Sequence, residues 1–386
     1  MSRLDELIAE LCPDGVEYVR LAECCDIEDN KRKPVKSSLR IPGDTPYYGA
    51  NNIQDYVEGY THYGQYVLIA EDGSASLENY SVQYVDGFFW ANNHVHVIKG
   101  RKDLDTKFLY YYLTSFNFIP FLTGGTRAKL NKGNMEEIPI PLPPLAVQQE
   151  IVRILDNFTE LTAELTAELT AELTARRKQY EYYRDFLLTF GNNPDIKWMT
   201  LGEIGPVCMC KRIMKAETSP VGDVPFFKIG TFGKEPDAFI SQEKYDEYRK
   251  AFSFPKKGDI LISAAGTIGR TVIYDGKPAY YQDSNIVWID NDESKVLNKY
   301  LYYCYAMKPW SISTGGTIAR LYNDNISKAK IPVPPLEEQE RIVAILDRFD
   351  ALCNDLTSGI PAEIEARQKQ YEYYRDKLLS FKEVTA

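Results

Sequence analysis

Three histidines, seven cysteines and one loose run of acidic residues are the groups with which this 386-residue chain could do catalytic or metal chemistry. His94 and His96 would share one face of a strand, as two imidazoles on one metal do. No third ligand or general base stands near them, and His62 is isolated, so structural roles are expected for all three. Cys208-Met-Cys210 lacks the second Cys/His pair that a zinc site needs. The cysteines (Cys12, Cys24, Cys25, Cys208, Cys210, Cys304 and Cys353) follow no framework spacing and read as reduced thiols. Pro236-Asp237 followed by Glu243-Lys244 is only a faint outline of a nuclease carboxylate cluster. Neither G-x-x-x-x-G-K-[ST] nor H-E-x-x-H occurs, and no G-x-G-x-x-G follows a strand. The nearest glycine loop, SAAGTIGR at 263–270, is too short. The Asn-Pro-Pro-aromatic element of adenine-modifying methyltransferases is missing, since NNPDI at 192–196 lacks the second proline and the aromatic. No catalytic residue, no metal and no directly bound cofactor is expected; the chain reads as a binding protein.

The residues that could bind are basic and polar, and they come in pairs. The cluster Lys31, Arg32, Lys33 and Lys36 is matched about 180 residues later by Lys211, Arg212 and Lys215. Lysine and arginine contact phosphate, while arginine and asparagine read base edges in bidentate geometry. TGGTRAKL at 123–130 is matched by TGGTIARL at 314–321. Their glycines let a backbone approach another surface closely, and threonine and a cation flank them. Gly124, Gly125, Thr126, Arg127 and Lys129 in the first loop, with Gly315, Gly316, Thr317 and Arg320 in the second, are therefore candidate DNA contacts. PYYGANN (Tyr47, Asn51, Asn52) and PFFKIG (Lys228) occupy comparable places with different chemistry, as two readers of two sequences would need. The net charge of −10 argues against a polyanion partner until it is mapped. Residues 1–30, 145–190 and 336–386 carry −7, −3 and −4, which leaves the remaining blocks together at +4.

The elements that must position these residues follow from an internal duplication. IPLPPLAVQQEIVRILDNF (140–158) returns as IPVPPLEEQERIVAILDRF (331–349), and ARRKQYEYYRD (175–185) as ARQKQYEYYRD (366–376), both at an offset of 191. Each copy has a variable front and a nearly identical back. After the proline pair 143–144, apolar residues recur every three or four positions from Ile151 to Leu173, through three perfect Thr-Ala-Glu-Leu units at 162–173. This predicts one helix from Leu145 to Phe190. Ile342 to Ile364 repeat the stripe, so the two helices should pair as an antiparallel coiled coil, with Gly359-Ile-Pro361 breaking the second. The Tyr180, Tyr183, Leu187 face is expected to pack between helices, with docking of another subunit as the runner-up. The fronts read as mixed α/β: QYVLIA (65–70), HVHVI (94–98), DILIS (259–263) and NIVWI (285–289) as strands, and helices around 104–116 and 296–307. The expected domains are 1–144, 145–190, 191–335 and 336–386, in a pseudo-two-fold molecule of two α/β (mixed α+β) domains separated by the paired helices. With no long apolar run and no leader, a cytoplasmic protein without membrane contact is expected.

The duplicated PLPPL…QQEIVRILDNF and PVPPLEEQERIVAILDRF, the QYEYYRD helix ends, MTLGEIG at 199–205 and the tandem tetrapeptide together resemble the specificity subunit of type I restriction-modification systems. RLAECCDI at 20–27 is a looser version of the TLGEIG pattern. The resemblance implies a non-catalytic reader of double-stranded DNA, with one target recognition domain for each half of a split site. It also implies two docked modification (methyltransferase) subunits bringing S-adenosylmethionine to methylate adenine, and restriction (translocase/nuclease) subunits that use ATP and Mg. On that reading, one added tetrapeptide lengthens the helix by about 6 Å and turns its stripe by roughly 40°. That re-aims one domain by on the order of one base-pair step. A self-contained nuclease or methyltransferase with a divergent site is the alternative, and a coiled-coil adaptor for proteins alone is a third.

Overall fold

The computed structural model describes residues 2–124, 128–191, 193–312, 320–355 and 358–384. It forms two compact units, Met1–Glu168 with Ile364–Ala386, and Leu169–Glu363.

The first unit is built on a six-stranded sheet in the spatial order Cys25–Ile27, Val95–Gly100, His62–Ala70, Val82–Ala91, Pro42–Gly49, Asn52–Val57. All neighbours are antiparallel except Pro42–Gly49 beside Val82–Ala91, which is parallel. The continuous apolar run QYVLIA is explained by burial on both faces of the sheet. Val67 and Ile69 join the core beneath the helix Thr106–Ser115, while Tyr66 and Leu68 join a second cluster with Val85, Phe89 and Val97. The helix starts where Asp105 accepts hydrogen bonds from the backbone N–H groups of Lys107 and Phe108.

The second unit splits its strands among three sheets, of which one is the antiparallel pair Lys197–Thr200 and Lys330–Val333. Of the two larger sheets, one is antiparallel, in the order Val207–Met209, Ile286–Ile289, Ile260–Ser263, Thr271–Ile273. The other runs Phe239–Ile240, Val224–Phe227, Tyr280–Tyr281, with the last pair parallel. The helix Asn298–Ala306 takes the place of Thr106–Ser115 and buries Tyr300, Leu301, Tyr303 and Cys304. The four expected strands and two expected helices all lie where the sequence puts them.

Each unit clamps the start of its long helix by the same device. In the first, the buried Gln148 side chain accepts from Asp105 N–H (2.8 Å) and donates to the carbonyls of Asp103 (2.9 Å) and Pro143 (2.7 Å). In the second, Gln339 accepts from Leu297 N–H (2.9 Å) and donates to the carbonyls of Lys295 (2.9 Å) and Pro334 (2.8 Å). Two turns further on, Asp156 accepts from the Tyr111 hydroxyl (2.6 Å) and pairs with Lys107 (2.8 Å). Asp347 likewise accepts from Tyr303 and pairs with Lys299 at 3.2 Å. Burial first, and then the neighbouring carboxylate, push both tyrosine hydroxyls above their ordinary range.

The central helix runs from Leu145 to Leu188. Its first part packs within the first unit, where Phe158 stacks on Tyr374 (5.9 Å) and the Thr159 and Tyr371 hydroxyls are 3.1 Å apart. Its last part packs within the second, where Tyr183 stacks on Phe349 at 5.5 Å. As one number rises its partner's falls, so the pairing is antiparallel. The C-terminal stripe is two helices, Leu336–Asn354 and Ile360–Leu378. The break falls where the glycine and proline put it: a Cβ on Gly359 would lie 2.7 Å from the Ala351 carbonyl, and Pro361 brings no N–H. Leu356 lies outside the described residues. At and just past the helix ends, Leu378, Leu379 and Phe381 pack with the first unit's core, and Leu187, Leu188 and Phe190 with the second's. In the first unit the segment after the helix Arg3–Leu11 pairs with the segment after Leu378, with Val16 N–H donating to the Lys382 carbonyl at 2.8 Å and Val384 N–H to that of Val16 at 3.1 Å.

Candidate nucleic-acid interface

The groups that could have done catalysis are committed elsewhere. His96 is buried and bridges Asp29 (2.6 Å, at Nδ1) and the Leu130 carbonyl (2.8 Å, at Nε2), which ties together the segments bearing the first basic cluster and the first Gly-Gly loop. His94 is exposed and pairs with Asp72 at 2.6 Å. Burial pushes the Cys210 thiol up to about 12, so it is held as a neutral thiol in the core. Asp237 pairs with Lys228 and Lys244 with Glu217, so the faint nuclease outline is two separate ion pairs.

The basic segments are held alike in the two units, by side chains that the sequence does not advertise. In the first, Trp90 Nε1 donates to the Lys33 carbonyl at 2.7 Å, and the Lys33 ammonium lies 5.8 Å from the indole centroid. In the second, the Tyr280 hydroxyl donates to the Lys211 carbonyl at 2.8 Å. Trp90 sits opposite Tyr47 across the parallel strand pair, with ring centroids 6.3 Å apart and planes 27° apart. Tyr280 sits opposite Phe226 in the same way, at 6.4 Å and 28°. Trp90 and Tyr280 are therefore the anchors of the candidate interface. Sequence reasoning missed them because one position carries different residues in the two copies.

Several candidates face inward or are already used. Tyr47 is 1% exposed, stacked beneath Arg40, so it supports the interface and does not reach solvent. Arg32 is a strut: its guanidinium lies 2.7 Å from Glu71, 2.7 Å from the Val95 carbonyl and 3.4 Å from Asp29. The Asn51 amide donates to the Gly73 carbonyl (2.7 Å) and accepts from Ala75 N–H (2.8 Å), joining two loops. Geometry corrects the expectation for Tyr47, whose ring is buried, while Arg32 is held by partners distant in sequence and Asn51 keeps an exposed side chain that ties two loops together.

Other candidates remain on the surface. Lys36 opens a 3₁₀ turn, Ser37–Leu39, and Lys31 pairs with Glu28 at 2.6 Å. Asn52 adopts φ 143° with its side-chain Oδ1 accepting from Ile53 N–H at 2.8 Å. Gly124 is exposed at φ 95°, a left-handed conformation that glycine reaches without strain. Lys129 reaches Glu71 at 2.8 Å; burial would raise that carboxyl, but Lys129 and Arg32 hold it below the usual range. In the second unit, Arg212, Lys215 and Lys228 line one cleft of about 560 Å³ with Asp237 and Asp283. Arg212 lies 3.6 Å from Asp283 and Lys228 2.8 Å from Asp237. Lys211 stands 5.0 Å from the Phe252 ring, and Arg320 donates to the Ser284 carbonyl and hydroxyl, both at 3.0 Å. Gly125, Thr126, Arg127, Gly315, Gly316 and Thr317 lie outside the described residues.

Two units built alike, each presenting a basic segment braced by one aromatic anchor and each clamped to a long helix, define a protein made to recognise two related targets. Comparison with known proteins agrees. Residues 13–175 and 193–366 match the type I restriction modification DNA specificity domain. A putative type I restriction enzyme specificity subunit of Haemophilus influenzae is 64% identical over 370 residues, covering 95% of this chain and 96% of that protein. The specificity subunit of the type I restriction enzyme EcoR124I/EcoR124II of Escherichia coli is 37% identical over 297 residues, 71% of this chain and 70% of its own. In fold, the chain is similar to a subunit solved in work on assembly and conformational transition of the type I system (TM-score 0.64, 18% identity, covering 96% and 98%). It is also similar to the HsdS subunit from Thermoanaerobacter tengcongensis (0.52, 18%, covering 96% and 97%). The chain belongs to the type I restriction-modification specificity subunits, which are DNA-recognition subunits and not catalysts. It has two recognition domains, binds DNA and assembles with the other subunits of the complex. A self-contained nuclease or methyltransferase is not supported by any of these relatives.

Proposed function

We propose that this specificity subunit reads a bipartite duplex target, one half-site for each unit. The front segments 1–144 and 191–335 carry the recognition surfaces, and the helical segments 145–190 and 336–386 act as spacer. The observation that carries this is the doubly occurring basic segment, braced in one unit by Trp90 and in the other by Tyr280. Two domains with the same brace and different surface side chains suit two related but distinct sequences. Lys33, Lys36, Lys211 and Lys215 contact phosphates, and the cleft that holds Arg212 and Lys228 faces bases or phosphates of the second half-site. The Gly-Gly loops at 123–130 and 314–321 approach the backbone.

The partners are two modification subunits and the restriction subunits. S-adenosylmethionine, ATP and Mg act on those subunits and not on this chain. The complex works in the cytoplasm. Among the described residues no helix is long and apolar enough to cross a membrane.

The test is to assemble the chain with its modification subunits, expose DNA lacking the modification, and map the methylated adenines. The expected result is a single split motif, methylated once in each half, whose occupancy falls steeply as salt rises. Methylation by the isolated chain, or a continuous unsplit motif, would refute the proposal.

A further inference from the structure

In each unit the stretch between the basic segment and the strand that follows it, Pro42–Gly49 in the first and Val224–Phe227 in the second, carries an exposed apolar tip on a hydrogen-bonded framework. In the first unit, Leu39 is 70% and Ile41 62% exposed. They stand on a tied loop: Val35 N–H donates to the Tyr47 hydroxyl at 3.0 Å, and Arg40 donates to the Val35 carbonyl (3.1 Å) and to Asp55 (3.2 Å). Glu58 N–H donates to the Ile41 carbonyl at 2.9 Å. In the second unit, the 3₁₀ turn Lys215–Glu217 leads to Val221, 81% exposed. There Ser219 exchanges two backbone hydrogen bonds with Phe239, at 3.0 and 2.8 Å, and its hydroxyl donates to the Val221 carbonyl.

Both tips are followed by Gly-Asp-x-Pro and two aromatics, at 43–48 and 222–227. Both glycines are forced by close approach. A Cβ on Gly43 would lie 2.5 Å from Glu58 N, and one on Gly222 2.8 Å from Phe239 Cβ. One piece of architecture thus presents an aliphatic tip twice, in fronts that otherwise differ. In the first unit Lys33 and Arg40 line one notch with Leu39, Ile41 and Glu58, and Arg40 is paired with Asp55; in the second Arg212 and Lys215 line the cleft that reaches Ser219 and Pro220, the residues just before Val221, with Asp283 paired to Arg212. The first unit's notch has a volume of about 290 Å³ and is also lined by Trp90.

We infer that these two fingers read thymine. Each aliphatic tip packs against the 5-methyl group of a thymine in the major groove while the neighbouring cations hold the adjacent phosphates. The inference rests on the reading of these basic segments as DNA-facing. A tip without donor or acceptor cannot read the hydrogen-bond pattern of a base pair. The 5-methyl of thymine is the apolar group that the major-groove edge offers. The surrounding cations fit a polyanion and would be poorly placed against an apolar protein surface.

The experiment uses the full chain with its modification subunits and duplexes carrying the mapped target, with thymine replaced by deoxyuridine in one half-site at a time. Wild type should bind the deoxyuridine duplexes about fourfold more weakly, the weight of one buried methyl group. L39A/I41A should lose discrimination in one half-site and keep it in the other; V221A should do the reverse. The replaced side chains are exposed, so melting temperatures should stay at the wild-type value. Equal wild-type affinity for thymine and deoxyuridine overturns the inference, as does equal weakening of both duplexes by the variants. K33A/K36A separates the two readings: a salt dependence shallower by about two counterions supports the DNA-facing face even if thymine discrimination is absent. No change there removes the face itself.

Discussion

Glu28 gathers three donors at one carboxylate: Lys31 at 2.6 Å, Lys99 at 2.9 Å and the Tyr66 hydroxyl at 2.9 Å. Burial would raise its pKa, but the donors outweigh burial and bring it down to about 2. Because the folded value lies below the unfolded one, the stability Glu28 contributes is full above about pH 4.5 and is lost as pH falls toward 2. Glu28→Gln should therefore destabilise the first unit by about 1–3 kcal/mol at neutral pH, and urea midpoints of variant and wild type should converge near pH 2. A gap that stays constant across that range would show that the carboxylate charge is not what matters. Residues like this mark the limit of what the sequence reveals. The basic clusters were legible because two copies share them. That Arg32 is internal was not, because Glu71 and Val95 approach it from 39 and 63 residues away. Trp90 and Tyr280 likewise act on carbonyls 57 and 69 residues distant.

Helices and strands were more legible than side-chain roles, since hydrophobic period and turn residues are local properties. The central helix, the break at Gly359-Ile-Pro361 and the strands QYVLIA and NIVWI all follow from such patterns. The clamp does not. Gln148 and Gln339 stand in the repeated PPLxxQ stretch, so their recurrence is visible, but their partners in the short-helix segments lie 42 to 45 residues earlier, where the two copies differ. Each glutamine satisfies three buried backbone groups, and one of these belongs to the residue from which the short helix of its unit starts. Gln148→Leu should leave all three unpaired and cost the first unit about 3 kcal/mol, and Gln339→Leu should do the same to the second. Hydrogen exchange read peptide by peptide provides the check. Protection should fall around 103–115 in Q148L and around 295–306 in Q339L, each leaving the other unit at its wild-type level. Loss in both units at once would contradict the clamp as a local device.

On the scale of the whole chain, the first unit is assembled from two segments distant in sequence and the second from one continuous stretch, and the central helix contributes its first part to one unit and its last part to the other. The Thr-Ala-Glu-Leu units occupy the stretch where that handover falls. Their leucines Leu165, Leu169 and Leu173 are only half-buried, whereas Ile151 and Leu155 near the helix start are fully buried. The stretch therefore carries little of the core of either unit, and its identical units make one removable without changing the stripe left behind. Deleting 166–169 takes away one half-buried leucine, at roughly 1 kcal/mol, and shortens the helix by about 6 Å while turning its downstream part by roughly 40°. Neither recognition surface loses a residue. The deletion variant, assembled with its modification subunits, should methylate the same two half-site sequences with the unspecified gap between them shorter by on the order of one base pair. Sequencing of the modified adenines reads both quantities together. An unchanged gap would mean that the repeat does not set spacing, and altered half-sites would mean that the helix takes part in reading bases.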